Sequence, residues 1–182
     1  PHERVRELGL RPMERRNRSR FETAFLTSIE AAEGVTTGIS AADRAHTVRV
    51  AIDPHSTAKE INTPGHVFPL EARDGGVLVR AGHTEAAIDV ARLADLIPAG
   101  VICEIMNDDG TMARYDDLVT FCQRHGLRMA TISDLIAYRR RTERLVEPII
   151  ESDFESRFGG KFRMIVYKNT VEYAEHIALV KG

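Results

Sequence analysis

Helical patterns alternate with short apolar runs along residues 21–144, and this alternation limits the possible folds more than any other feature. The run FETAFLTSI is rich in β-branched and aromatic residues, which predicts a strand, and AADRAHTVRVAI predicts a helix beginning after Ser40. Further apolar runs predict four more strands, HVFPLEA, GVLVR, AGVICEIM and LRMATI, and a helical pattern follows each of the last three. Gly126 is the expected C-terminal cap of the second of these helices, and Ser133 is the expected N-cap of the third. We therefore expect a sheet covered by helices.

The composition excludes several classes of partner. The 182 residues carry 25 Lys and Arg against 27 Asp and Glu, and the net charge of -2 gives no electrostatic case for nucleic acid or an anionic membrane. No apolar run approaches the roughly 20 residues that cross a bilayer, and the N-terminus lacks a signal peptide, so we expect a cytoplasmic protein. Two cysteines alone cannot form a zinc cluster, and their apolar neighbours predict buried thiols.

The character of the chain changes near Leu145. Residues 1–144 end in the basic run Arg139–Arg144, which we interpret as a solvated helix end; a nucleic-acid patch is the less favoured alternative. Residues 145–182 begin with a linker-like Glu147-Pro148 and then carry strand patterns, which predicts the first strands of a separate unit. Because the first residue is Pro1 and not methionine, we expect the sequence to be part of a longer one.

The stretch RAGHTEAAID, Arg80–Asp89, leads into a predicted helix. An apolar stripe supports that helix, with Thr84 as its N-cap, Pro98 as its stop, and members at positions 86, 90, 93, 94 and 97. A helix N-terminus offers unpaired amide groups and a partial positive charge, which favour an anion such as phosphate.

The residue types before this helix fit the same chemistry. Gly82 would let the backbone approach a ligand closely, and Arg80 would add charge-assisted hydrogen bonds to a phosphate. His83 is a candidate metal ligand or proton carrier beside that phosphate. The alternative is an ordinary capped helix with Arg80 at the surface.

Other candidates depend on single residues. Glu104 lies in the apolar run VICEIM, so it is either a working carboxylate near a central strand or a rim residue that reaches water. His66 follows Pro-Gly and is either a catalyst or a satisfied loop residue. Asp108 and Asp109 belong to NDDG, a sequence that is more typical of a turn than of a metal site.

Four ordered blocks carry a resemblance to a known family: EAAEGVTTGISAADRAHTVR, TPGHVFPLEARDGGVLVRAGHTEAAIDVARLA, PAGVICEIMNDDGTMAR and HGLRMATISDLIAYRR. Together they resemble 3,4-dihydroxy-2-butanone 4-phosphate synthase of riboflavin biosynthesis across nearly all of residues 1–144. The resemblance implies an α+β fold in three layers, α-β-α, around a mixed, twisted sheet that would be incomplete at its N-terminus. It also implies a lyase that converts D-ribulose 5-phosphate to 3,4-dihydroxy-2-butanone 4-phosphate and formate.

The same resemblance assigns roles to individual residues. His66 and Glu104 match positions that the family needs for activity, and His83 matches a metal ligand. A further set matches the substrate-binding segment: Arg80, Ala81, Gly82, His83 and Thr84, together with Glu104. The implied cofactor is magnesium or manganese, two ions per site, in a homodimer whose active sites lie near the subunit interface.

The family also carries an acidic loop, Asp-Asp-Glu-Asp-Arg-Glu-Asn-Glu-Gly-Asp, that supplies metal-binding and substrate-binding carboxylates, and this sequence contains no such run. His83 alone could hardly hold magnesium, which prefers several oxygen ligands. The end of the chain reads FGGKFRMIVYKNTVEYAEHIALVKG, which resembles the opening of a GTP cyclohydrolase II domain. We therefore predict part of the synthase domain over 1–144, followed by a linker and the first cyclohydrolase-like strands over 145–182. A non-catalytic sugar-phosphate-binding or dimerisation fragment is the alternative function.

Overall fold

The computed structural model describes residues 1–14, 16–18 and 23–181. Five α-helices and five strands follow one another in these residues: α1 His2–Glu7, β1 Ile29–Ala31, α2 Ala41–Ile52, β2 Ile61–Val67, α3 His83–Leu93, α4 Tyr115–His125, α5 Ile132–Thr142, β3 Val146–Ser156, β4 Gly160–Asn169 and β5 Glu175–Val180. Two short 3-10 helices, Ala58–Glu60 and Gly76–Leu78, complete the set. The α+β class is confirmed, although the strands of the described residues form two antiparallel sheets and no mixed sheet.

The first sheet pairs β1 with β2 and carries the core of the N-terminal part. Leu8, Ile29 and Ile61 are buried together, and side chains of α2 pack against them. The pairing is interrupted: Ile29 lies opposite Val67, whereas the next residue, Glu30, lies opposite Asn62. The four residues 63–66 therefore leave the ladder as a bulge, and His66 is the last of them.

Two predicted helices are confirmed, and each has the capping residue that the sequence indicated. Helix α2 begins after Ser40, whose hydroxyl accepts a hydrogen bond from the Asp43 amide at 3.0 Å. Helix α4 ends at Gly126, which has the left-handed backbone that helix C-termini favour. The turn interpretation of NDDG is also supported, because Asp109 accepts hydrogen bonds from the amide and the hydroxyl of Thr111.

Several predicted strands are wrong. The run AGVICEIM has no regular structure apart from an isolated bridge between Met106 and Met112, and LRMATI is also irregular up to the start of α5. A strand needs a hydrogen-bonded neighbouring strand, and apart from that single bridge the described residues provide none for these runs. The cysteine prediction is wrong as well, because Cys103 is exposed and Cys122 is only partly covered.

Four further features differ from prediction. The strand expected over HVFPLEA lies earlier, at Ile61–Val67, and the run GVLVR begins with the 3-10 helix Gly76–Leu78 in place of a strand. Gly75, its N-cap, and Gly76 both have positive φ. In the run FETAFLTSI only the end is a strand, preceded by isolated bridges, while Phe21 lies outside the described residues. Helix α5 is capped by Thr131 and not by Ser133.

The buried side of α3 is not the predicted apolar stripe. Its buried members are Glu85, Ile88, Asp89 and Ala91, whereas Val90 of the predicted stripe is 56% exposed. The two carboxylates can be buried because each meets an arginine and a backbone amide. Apolar periodicity alone therefore selected the wrong face.

The second sheet follows α5 and contains β3, β4 and β5 in that order, all antiparallel. Helix α5 is tied to the first part of the chain by Arg139, which donates to the Asp89 carboxylate and to the Gly75 carbonyl, both at 2.8 Å. The strand-rich character expected after Leu145 is thus present as a separate sheet.

We expect the loop before α2 to lose stability in acid because of Asp43. Its carboxylate accepts hydrogen bonds from the Thr36 hydroxyl and from the amides of Thr36 and Gly38. The Thr36 hydroxyl contributes most to lowering the pKa of Asp43 below its ordinary value, while burial opposes the shift.

A lowered pKa means that the charged carboxylate stabilises the fold fully above the unfolded-state pKa of about 3.9, and that this stabilisation disappears as the pH falls through the lower native value. Asp43→Asn should therefore lower the urea midpoint at pH 7, and the gap from wild type should close in acid. A gap that stays constant down to about pH 2 would contradict this account.

Candidate functional site

His66 lies beside Glu30, at the interrupted pairing of β1 and β2. Its Nδ1 is 2.7 Å from the Glu30 carboxylate, and Glu30 is the more buried of the two. Gly38 lies against the same carboxylate, so closely that a Cβ at this position would overlap it. Because a carboxylate only accepts, Nδ1 is the donor, and the lone pair of the neutral ring is on Nε2.

The segment Arg80–Thr84 lies at the beginning of α3, as predicted, but its cap differs. The helix begins at His83, and Gly82 occupies the N-cap position without a side-chain cap. Thr84 is therefore a first-turn residue and not the N-cap. His83 is exposed at the helix start and Ala81 precedes it, also exposed. No N-cap side chain therefore hydrogen-bonds to the first-turn amides of α3.

Arg80 does not extend into solvent from this segment. Its Nη1 donates to the Glu85 carboxylate at 2.6 Å, and its Nη2 donates to the Thr23 hydroxyl at 3.3 Å. A Cβ added to Gly82 would lie within 2.5 Å of this ion pair. Glycine at position 82 therefore has a steric role that the sequence did not suggest, because the Arg80–Glu85 ion pair lies where a Cβ would be.

A cavity of about 720 Å³ lies next to both the His66 region and the first turns of α3. His66 and Thr84 both line it, and so do Ile88 of α3 and the segment Ala99–Ile102. The chain then runs on to Glu104, which is exposed and lies in an irregular segment. The expectation of Glu104 near a central strand is therefore wrong for the described residues, although Gly100, four residues earlier, lies against Ala87 of α3.

The described residues do not provide a complete metal site. Among them, no group of three or more His, Cys, Asp or Glu side chains is close enough together to hold an ion. His83, the predicted ligand, would supply one nitrogen, whereas magnesium takes about six oxygen ligands. In the same part of the chain, no helix is long and apolar enough to cross a membrane.

Comparison with known proteins decides the family. A family model for 3,4-dihydroxy-2-butanone 4-phosphate synthase matches residues 1–138. The chain belongs to the 3,4-dihydroxy-2-butanone 4-phosphate synthase family. The resemblance drawn from four sequence blocks is thereby confirmed.

Individual members of this synthase family agree. Riboflavin biosynthesis protein RibBA of Salinispora arenicola is 55% identical over 96% of this chain and 41% of its own length. The structure of RibBX, a two domain 3,4-dihydroxy-2-butanone 4-phosphate synthase from A. baumannii, is 48% identical, with a TM-score of 0.87 over 99% of this chain and 53% of that one. A synthase structure in complex with two magnesium ions is 38% identical, with a TM-score of 0.70, and the match covers 77% of this chain and 70% of that one. The chain spans about half the length of the curated relatives it matches.

Two residues next to the predicted synthase site were missed by sequence reasoning. Glu30 lies 36 residues before His66, and nothing in its local sequence links the two. Glu85 offered a weak signal, since it follows Thr84 directly and shares a helical spacing of four with Asp89. Acidic residues in a first turn are ordinarily read as surface partners of the helix dipole, which conceals a buried ion pair.

Proposed function

We propose that the full-length protein converts D-ribulose 5-phosphate to 3,4-dihydroxy-2-butanone 4-phosphate and formate in riboflavin biosynthesis, as a lyase. The observation that carries the proposal is the match of residues 1–138 to the synthase family, which includes the uncapped start of α3 and the His66 region. The fold supports it because His66 and Thr84 line one cavity.

In this proposal the start of α3 binds the substrate phosphate. The first-turn amides of His83 and Thr84 and the Thr84 hydroxyl are donors, and the helix dipole favours the negative charge. Arg80 adds a guanidinium held beside Gly82, and Ala81 completes the segment. A dianionic ester suits this arrangement, since the donors converge from backbone and side chains.

The proton chemistry is assigned to His66 and Glu104. Removal of a proton from the carbon next to the ketone of the sugar gives an enediolate. Nε2 of His66 can accept that proton while Nδ1 donates its own hydrogen bond to Glu30. Charge on Glu30 stabilises the imidazolium that forms. Glu104 is the second acid/base candidate because Ala99–Ile102, just before it in the chain, lines the same cavity as Thr84.

A divalent cation, magnesium or manganese with two ions per site, is part of the proposal because a relative was solved with two magnesium ions. His83 is the proposed ligand from this segment. Since the described residues lack the remaining ligands, we derive no step through the metal. A cytoplasmic homodimer without a nucleic-acid or membrane partner remains our expectation for the full-length protein.

The domain boundary stays a proposal as well. We propose that residues 1–144 belong to the synthase domain and residues 145–182 to a linker and the first strands of a GTP cyclohydrolase II-like domain. Support comes from the end of the family match at residue 138 and from the separate sheet formed by β3, β4 and β5.

A second candidate function is a non-catalytic module that binds sugar phosphates or supports dimerisation. The absence of a three-ligand acidic or histidine cluster among the described residues favours it. It predicts that phosphate esters bind to the protein without metal-dependent turnover.

The test is formate release from D-ribulose 5-phosphate by the full-length gene product, with magnesium and then with manganese. We expect turnover that EDTA abolishes and that either metal restores. Ribose 5-phosphate, which has no ketone, is the control substrate and should yield no formate. A folded protein that binds the ester but releases no formate would replace the enzyme proposal by the binding module.

A further inference from the structure

Helix α3 carries two buried carboxylates, four residues apart, and each accepts hydrogen bonds from a backbone amide and from an arginine. Glu85 accepts from the Arg73 amide at 3.0 Å and from Nη1 of Arg80 at 2.6 Å. Asp89 accepts both of its hydrogen bonds on one oxygen, Oδ2, from the Val77 amide and from an arginine of α5, each at 2.8 Å. Their side chains are 1% and 2% exposed. Both anchor the helix to the loop that precedes it.

The two pairs differ in where their arginine lies. The partner of Asp89 is Arg139, on α5, and Asp89 itself lies six residues after the first residue of α3. The partner of Glu85 is Arg80, two residues before the N-cap Gly82, and its guanidinium passes so close to Gly82 that a Cβ there would overlap Nη1. Glu85 therefore holds a positive charge next to the first-turn amides.

We propose that Glu85 is a positioning residue for phosphate binding: it acts through Arg80, which it fixes at the start of α3. This inference rests on the proposed function. An arginine side chain has many rotamers, and their loss on binding weakens affinity unless they are already restricted. Glu85 supplies that restriction from a buried position, where its carboxylate is itself held by the Arg73 amide.

Glutamine cannot replace Glu85 in this role. The carboxylate uses one oxygen for the Arg73 amide and the other for Arg80. A glutamine has a single acceptor oxygen, and its NH₂ group would meet one of these donors with another donor. In Glu85→Gln the Arg80 contact or the loop contact is therefore lost.

The experiment compares Glu85→Gln with the matched control Asp89→Asn in the full-length protein. Both remove one buried negative charge from the same helix, so both should lower the melting temperature. We expect KM for D-ribulose 5-phosphate, and Ki for inorganic phosphate, to rise about tenfold in Glu85→Gln with kcat changed less than threefold. In Asp89→Asn both constants should stay within about twofold of wild type.

A double-mutant cycle tests whether Glu85 acts through Arg80. In an Arg80→Ala background, Glu85→Gln should produce no further rise in KM or Ki, because the group that it positions is gone. Equal constants for Glu85→Gln and Asp89→Asn, or a full additional rise in the Arg80→Ala background, would overturn the inference. If Glu85→Gln does not fold, Glu85→Asp replaces it in the comparison with Asp89→Asn. This variant keeps both acceptor oxygens but moves them away from Arg80 by the length of one methylene group.

The readouts separate this inference from the proposed function. Formate release by wild type alone decides whether the protein is a synthase. Binding of inorganic phosphate, measured by titration calorimetry on the same variants, reports on Glu85 even without turnover. A wild type that releases formate, combined with phosphate binding unchanged by Glu85→Gln, would refute the positioning role and leave the enzyme intact.

Discussion

Replacing His66 by asparagine should lower formate release from D-ribulose 5-phosphate by at least about a hundredfold in the full-length protein. The asparagine NH₂ group can take the place of Nδ1 and keep the hydrogen bond to Glu30, which is 2.7 Å long in the wild type. The substitution therefore removes Nε2, the nitrogen assigned to proton transfer, while keeping the local packing. We expect the loss in kcat, with KM changed only slightly, because the phosphate donors lie on α3.

The control for this prediction is His55→Asn, since His55 is an exposed histidine in the turn after α2. It should retain wild-type kinetics. Steady-state formate assays, with circular dichroism to confirm folding, make the comparison. A His66→Asn enzyme that retains more than about a tenth of the wild-type kcat would remove His66 from the proton chemistry.

Gly65→Ala should destabilise the protein and inactivate it together. The Gly65 backbone does not require glycine by its φ, but a Cβ there would lie 2.5 Å from the Glu30 amide nitrogen and closer still to the Ile29 carbonyl. Backbone atoms cannot move aside as the end of a side chain can. The first sheet must therefore open at this point, at a cost of roughly 2 to 3 kcal/mol in the free energy of unfolding.

The activity loss should exceed what unfolding explains. Opening the sheet separates the backbone of Glu30 from the residue before His66, so the hydrogen bond between these two side chains is displaced in molecules that remain folded. Urea unfolding gives the stability, and kcat per folded molecule gives the activity. We expect a fall in kcat of about tenfold or more at a temperature where the variant is fully folded.

Gly126→Ala is the matched glycine control. Gly126 ends α4 with a φ of 62°, and nothing lies within 4 Å of a Cβ placed there. Alanine should cost about 1 kcal/mol through backbone strain alone, with kcat unchanged. If Gly65→Ala is no worse than Gly126→Ala in stability and activity, the close approach at Gly65 has no functional consequence.

The parts of the fold that the sequence predicted well are those whose determinants are local. Helix α2 begins after Ser40 and α4 ends at Gly126, because a hydroxyl at an N-cap and a glycine at a C-terminus act within one turn. The strands were predicted poorly, since an apolar run becomes a strand only when a partner is present. AGVICEIM has the right composition, but the described residues offer it no neighbour.

The candidate site shows the same division. Arg80, His83 and Thr84 were placed correctly at the start of α3, because they are contiguous with a helical pattern. Long-range partners were not predictable, since the pair of His66 with Glu30 joins residues 36 positions apart and that of Asp89 with Arg139 residues 50 positions apart. The amphipathic rule also failed on α3, because a carboxylate neutralised by an arginine can be buried as an apolar residue is.

The bulge between Asn62 and Val67 has a consequence for how this protein can change in length. Surface connections commonly accept inserted or deleted residues at little thermodynamic cost. Here the strand pairs on both sides of the bulge are fixed, while its last residue must deliver an imidazole to Glu30. If the bulge lost or gained one residue, the sheet could stay paired, but the His66 imidazole would no longer lie opposite the Glu30 carboxylate. The length of residues 63–66 is therefore fixed.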